Sequence, residues 1–126
     1  MKPQKIGSKQ WVIPGGHIPF GSNGKEPEFT SHDRLNILNT SGKEADIELT
    51  VYYSDRDPDG PYPICVEAQR VKEVRFNDLI DPLAIPLDTP FACVLQSSVP
   101  VVVQFTRQDT RQSANAIATM MAFPVG

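Results

Sequence analysis

Arg56, Arg70, Arg75 and Arg107 stand at or near the ends of apolar runs. Gln104 sits inside Val102-Val103-Gln104-Phe105, where a side-chain amide needs a hydrogen-bond partner. His32 can donate or accept, and it changes charge near neutral pH. Guanidinium forks beside a buried amide are what a site for a hydroxylated or carboxylated small molecule requires. His32, Arg56, Arg70, Arg75, Gln104 and Arg107 are therefore the expected polar lining of a ligand site. The arginines would supply paired donors to oxygens and Gln104 an amide that fixes orientation. The plainer alternative pairs the arginines one to one with Asp55, Glu67, Asp78 and Asp109. Convergence of several arginines in space separates the two.

Other chemistry is less well supported. Asp55-Arg56-Asp57-Pro58-Asp59-Gly60 opens like a calcium loop, D-x-D-x-D-G. The bidentate Glu of such a loop is missing, since Val66 stands at its position and Glu67 comes one residue late. Pro58 and Pro61 stiffen the stretch, so a solvated turn is expected. Ser31, His32 and Asp33 adjoin, but neighbours on a strand point to opposite faces and make no triad. No G-x-S-x-G elbow, H-x-H pair or C-x-x-C occurs. His17, in Gly15-Gly16-His17-Ile18-Pro19, reads as a surface residue, and Trp11 as a core anchor. Cys65 and Cys93 each lie in an apolar run and are expected as buried free thiols, with a cross-strand bridge as the other possibility. No catalytic residue, metal or cofactor is expected, and the chain is not expected to be an enzyme.

These residues need strands to position them. Ala45 to Tyr53 alternates strictly: Ile47, Leu49, Val51 and Tyr53 on one side, polar residues and Tyr52 on the other. Arg34 to Thr40 reads as another strand, with Leu35, Ile37 and Asn39 on one side. Trp11-Val12-Ile13 is a short strand closing in a Pro14-Gly15-Gly16 turn, and Ile18 to Phe20 a second extended piece. A loop is expected over Asp55 to Pro63, then one long or two shorter strands over Ile64 to Phe76, then a helical turn from Asn77. Phe91 to Ser97 and Val101 to Phe105 are apolar on both faces, so both faces must be covered, which argues for oligomerisation. Ser113 to Phe123 is expected as a last strand after a tight connection at Thr110 to Gln112.

The whole chain has 126 residues, room for one domain over residues 1–126. Lys+Arg 12 against Asp+Glu 15 gives a net charge of −3, which argues against nucleic acid as the main partner. The 12 prolines are scattered among β-branched runs, which favours short strands over long helices. No signal peptide or apolar stretch long enough for a spanning helix is visible, so a cytoplasmic location is expected.

Several of these runs together resemble the family of small soluble sensory rhodopsin transducers and their rhodopsin-independent relatives. The resemblance is carried by Trp11-Val12-Ile13-Pro14 with Gly16 and Ile18-Pro19, then Phe29-Thr30-Ser31-His32, Leu38-Asn39 and Tyr52-Tyr53-Ser54-Asp55-Arg56 with Pro58. It returns at Arg70-Val71 with Arg75 and at Pro90-Phe91-Ala92. It is strongest over Gln96-Ser97-Ser98-Val99-Pro100-Val101-Val102-Val103-Gln104, with Arg107 and Asp109 behind. Where that family often has Ser-Asp before the Val-Pro step, this chain has Ser97-Ser98. The resemblance implies an all-β, single-domain antiparallel β-sandwich that assembles as a homo-oligomer, a tetramer. It implies a non-enzymatic sensor of a small polar metabolite, sugar-like or carboxylated. Its alternative is a signal transducer coupled to a membrane photoreceptor, a sensory rhodopsin.

Overall fold

Alternation decides the architecture. The computed structural model describes residues 6–16, 32–76, 79, 90–109 and 116–125. The expectations for His17, Ile18 to Phe20, Gly21 to Pro27, the turn from Asn77 and the connection at Thr110 to Gln112 fall outside those residues. The described part contains strands β1 (Ser8–Gly16), β2 (His32–Asn39), β3 (Ala45–Tyr53), β4 (Asp59–Val66), β5 (Arg70–Arg75), β6 (Phe91–Asp109), β7 (Ala116–Met121) and β8 (Phe123–Val125).

All pairings are antiparallel. The first sheet runs β4-β3-β6-β1-β8. The second runs β5-β2-β6-β7. β6 belongs to both. Its first half lies between β1 and β3, and its second half between β2 and β7. The two phases of this strand differ in burial. Phe91, Cys93, Leu95, Val101, Val103 and Phe105 are buried inward, while Ala92, Val94 and Val102 on the opposite phase are half-buried. The two expected strands are thus one strand of 19 residues.

The change of sheet falls at Ser97 to Val101. β3 pairs up to Ser97, and β2 begins at Val102. Ser98 Oγ accepts the Asp46 backbone N–H at 2.9 Å, and Ser97 Oγ accepts that of Val99 at 3.4 Å. Side-chain hydroxyls here satisfy amides at the point where the ladder changes partners.

The inner faces share one core, drawn from both sheets: Trp11 and Ile13, Leu35 and Ile37, Ile47 to Val51, Tyr62 to Val66, Phe76, and the inward β6 residues. Phe76 meets Phe91 and Phe105 with ring centroids 5.1 and 6.2 Å apart, in tilted and edge geometry. Trp11 is buried as expected, and its Nε1–H donates to Ser8 O at 2.9 Å and Val101 O at 3.0 Å.

Three local expectations change. β1 continues through Pro14 and Gly15 to Gly16, with a register irregularity absorbing them, because β6 offers a partner as far as Phe91. The expected loop before Pro63 ends at Asp59, and Pro61 and Pro63 are accepted in β4 because among the described residues it is an edge strand paired only with β3. Cys65 is exposed, since it shares the outward phase with Pro61 and Pro63; Cys93 is buried, and both thiols are free. The final segment is strand, as expected: β7 pairs with β6, and β8 returns to β1.

Candidate functional site

Leu35 and Ile37 point inward from β2, so Arg34, Asn36 and Leu38 occupy its outer face. The ladders extend each into a rung across the second sheet. Arg34 stands opposite Arg75 of β5 and Thr106 of β6. Asn36 stands opposite Glu73 and Gln104, and Leu38 opposite Val71 and Val102. Met121 continues the middle rung beside Gln104. The three rungs are therefore Arg75–Arg34–Thr106, in which Thr106 is buried, then Glu73–Asn36–Gln104–Met121, then Val71–Leu38–Val102.

In the middle rung Asn36 Nδ2 donates to Gln104 Oε1 at 3.3 Å. The half-buried amide of Gln104 thus has the partner that its sequence position demands. Gln104 Nε2 remains a donor and Asn36 Oδ1 an acceptor on the outer face. In the cationic rung Arg34 and Arg75 are both half-buried. Arg75 Nε is buried and has no hydrogen-bond partner among the described residues. Two guanidiniums directly opposite on neighbouring strands repel, and a half-buried donor with no acceptor adds to that cost.

The expected site residues divide. Gln104 and Arg75 share this outer face one rung apart. Arg70 does not join them: it lies an odd number of residues from Arg75, on the other phase of β5, where its Nη1 donates to Gln69 O at 2.9 Å. Arg56 is also apart, between β3 and β4. It pairs with its neighbour Asp55 (Nε to Oδ1 3.0 Å, Nη2 to Oδ2 3.2 Å) and lies 5.0 Å over the Tyr53 ring. The Arg56 hydrogen bond holds the Asp55 carboxyl below its usual range. At Arg56 the structure shows a local ion pair, as in the plainer alternative, and the D-x-D-x-D-G stretch is exposed over residues 55–58 and enters β4 at Asp59. His32 stands opposite Gln108 and Arg107 opposite Asp33 in the β2–β6 ladder; their side chains lie outside the described part. Sequence reasoning missed Arg34, Asn36 and Glu73. The signal was present: once Leu35 and Ile37 face the core, their neighbours must share the opposite face.

A separate hollow of about 520 Å³ opens on the outer face of the first sheet, lined by Asp46, Glu48, Pro63, Cys65, Gln96 and Ser98 among others. Its two carboxylates suit an oxyanion-bearing guest poorly. At its rim Glu44, Asp46 and Cys65 bring their ligand atoms within 4.8 Å of one another. The Cys65 thiol donates to Glu44 Oε1, and this hydrogen bond, with burial and the carboxylate charges, pushes the thiol pKa up.

Among the described residues no helix is long and apolar enough to cross a membrane.

The family model described as "Anabaena sensory rhodopsin transducer" matches residues 6–124. The solved structure of the Anabaena sensory rhodopsin transducer is similar with 50% sequence identity and a TM-score of 0.72, over 81% of this chain and 99% of that one. The crystal structure titled Thermotoga maritima 1070 is similar with 28% identity and a TM-score of 0.82, over 94% of this chain and 96% of that one. No curated protein matches the chain.

Proposed function

The chain belongs to the Anabaena sensory rhodopsin transducer family, and from that membership we propose that it is a non-enzymatic, cytoplasmic sensor domain that binds a small polar metabolite on the outer face of its second sheet. The single observation that carries this reading is the Asn36–Gln104 amide pair set one rung from the Arg34–Arg75 pair. Amides and guanidiniums held by ladder register form a rigid array of donors and acceptors for a guest rich in oxygen. The apolar rung beside it, with Val71 and Leu38 exposed, supports self-association as the covering for the rest of the face.

The test is a thermal-shift series with sugars, polyols and sugar acids. A member of the series should raise the midpoint, and Asn36→Ala and Gln104→Ala should each abolish that rise. A flat response across the series contradicts the reading.

A second reading is favoured by the 50% identity to a protein titled as a sensory rhodopsin transducer. In it the same domain is an adaptor for a membrane photoreceptor. Co-purification with a sensory rhodopsin in detergent, together with a flat metabolite series, would select it.

A further inference from the structure

An edge strand exposes unpaired backbone groups, and these invite a strand from another molecule. Among the described residues β4 is an edge of the first sheet, paired only with β3. The ladder fixes which of its backbone groups face that edge. Pro63, opposite Glu48, has no N–H, so theirs is a non-hydrogen-bonded pair, and so is that of Cys65 and Asp46 two residues on. Two hydrogen bonds agree. The Asp46 N–H turns away from β4 to Ser98 Oγ at 2.9 Å, and Cys65 O bonds to a side chain outside the ladder. Pro63 and Cys65 therefore present their backbone to the free edge. Pro63 brings no donor to it, and neither does Pro61, which shares its phase.

The Cys65 acceptor is occupied by Lys72, whose Nζ donates to Cys65 O at 3.0 Å. Lys72 belongs to β5, at the margin of the second sheet. It shares a phase with Val74, which packs against the core, so its stem runs toward the first sheet. It reaches Cys65 beside a hollow of about 290 Å³ that Cys65, Val66, Glu67, Arg70 and Lys72 line. The connection from β4 to β5 is itself fixed: the Gln69 N–H donates to Ser41 O at 3.2 Å, and Asn39 Nδ2 to Val66 O and Glu67 O. Lys72 is thus held where an incoming strand would have to lie. We propose that Lys72, together with Pro61 and Pro63, is an edge guard that closes the free margin of β4 against pairing with a second copy of this chain. An added strand would have to displace an ammonium from Cys65 O. It would also find no N–H at Pro61 or Pro63 for its own carbonyls. The guard operates without a ligand, so its test is independent of the metabolite reading.

Sedimentation velocity of the full chain over a range of concentrations tests the guard, with thioflavin T fluorescence read on the same samples. Lys72→Met keeps the aliphatic stem and removes the donor, and Pro63→Val gives the edge an N–H. Lys72→Met should strengthen concentration-dependent self-association by about 10- to 100-fold, the weight of one charge-assisted hydrogen bond. Adding Pro63→Val should strengthen it further and raise the thioflavin signal. Lys72→Arg, which keeps a donor, should sediment like the parent. So should Arg70→Met, which removes the same charge from a neighbour bonded to Gln69 O instead. The Lys72 ammonium signal of the ¹⁵N-labelled parent gives a reading that needs no variant to fold: its hydrogen bond should slow its exchange with water below that of the exposed Lys9. A folded Lys72→Met chain that sediments like the parent at every concentration overturns the proposal. Arg70→Met associating as strongly as Lys72→Met overturns it as well, by reducing the effect to net charge. Lys72 and Lys9 ammonium protons exchanging equally fast overturn it in the parent itself.

Discussion

Arg75 stands directly opposite Arg34 across the β2–β5 ladder, with its Nε buried and without an acceptor among the described residues. Were it a structural ion-pair partner, removing its charge would destabilise the fold. As one of two opposed guanidiniums, it should instead be close to neutral for the unliganded protein. Arg75→Gln is expected to change unfolding stability in urea by less than about 1 kcal/mol, and in the stabilising direction once like-charge repulsion is relieved. Asn39 is the contrasting case. It is fully buried; its Nδ2 donates to Lys43 O at 2.8 Å, Val66 O at 3.2 Å and Glu67 O at 3.3 Å, and its Oδ1 accepts from Ser41. Asn39→Asp removes those donors and buries a charge beside carbonyl oxygens. A loss of about 3 kcal/mol or more is expected in the same assay. Cys65 supplies a chemical readout. The hydrogen bond to Glu44 raises its pKa, so less thiolate is present than exposure alone would give. Glu44→Gln should speed its alkylation by iodoacetamide at pH 8; an unchanged rate would show that Glu44 does not control the thiol.

At the scale of elements, β6 organises the molecule, and one glycine lets its partner strand approach. Gly7 has φ +99°, and a Cβ there would lie 2.1 Å from Val101 O, where β1 meets the sheet-changing part of β6. Gly7→Ala combines a forbidden approach with backbone strain and should cost about 2–4 kcal/mol in chemical denaturation. A neutral result would mean that the start of β1 is not held against β6. Alternation made β3 readable to the residue, and the inward phase of β2 likewise. Continuity of β6 was not readable, because Ser97-Ser98 and Pro100 look like punctuation until hydroxyls are seen to satisfy the amides there. β4 was shortened in the sequence reading for a related reason: proline argues against a strand only where both edges are paired, and among the described residues β4 pairs along one edge. The candidate site was legible as a list of side chains but not as a face. Gln104 and Arg75 share it, whereas Arg70 lies on the other phase of β5 and Arg56 pairs with the neighbouring Asp55 carboxylate. Both are consequences of register that composition does not carry.

For the whole molecule, charge is distributed unevenly over the two outer faces. The first sheet presents Glu44, Asp46 and Glu48, and the second presents Arg34 and Arg75 with Glu73 one rung away. A net charge of −3 therefore coexists with a local cationic rung. Alkaline titration reports on global stability through Tyr53. Its hydroxyl is buried without a hydrogen-bond partner among the described residues, and burial, with Tyr62 and Asp59 nearby, pushes its pKa up to about 12. An acid whose folded pKa lies above the unfolded value near 10 keeps its proton longer in the native state. Its contribution is present below pH 10 and is lost as pH rises toward 12. Stability should fall across that window, and Tyr53→Phe should flatten the fall; an equally steep fall in the variant would place the dependence elsewhere.

Backbone amide mapping under titration with the sugar, polyol or sugar acid that raises the thermal midpoint tests the central claim most directly, since it reports on both outer faces at once. The amides of Asn36, Glu73, Arg75 and Gln104 should shift together with one saturation curve, while those of Asp46, Cys65 and Ser98 on the other sheet stay still. Shifts confined to the Asp46–Cys65–Ser98 hollow would contradict the account.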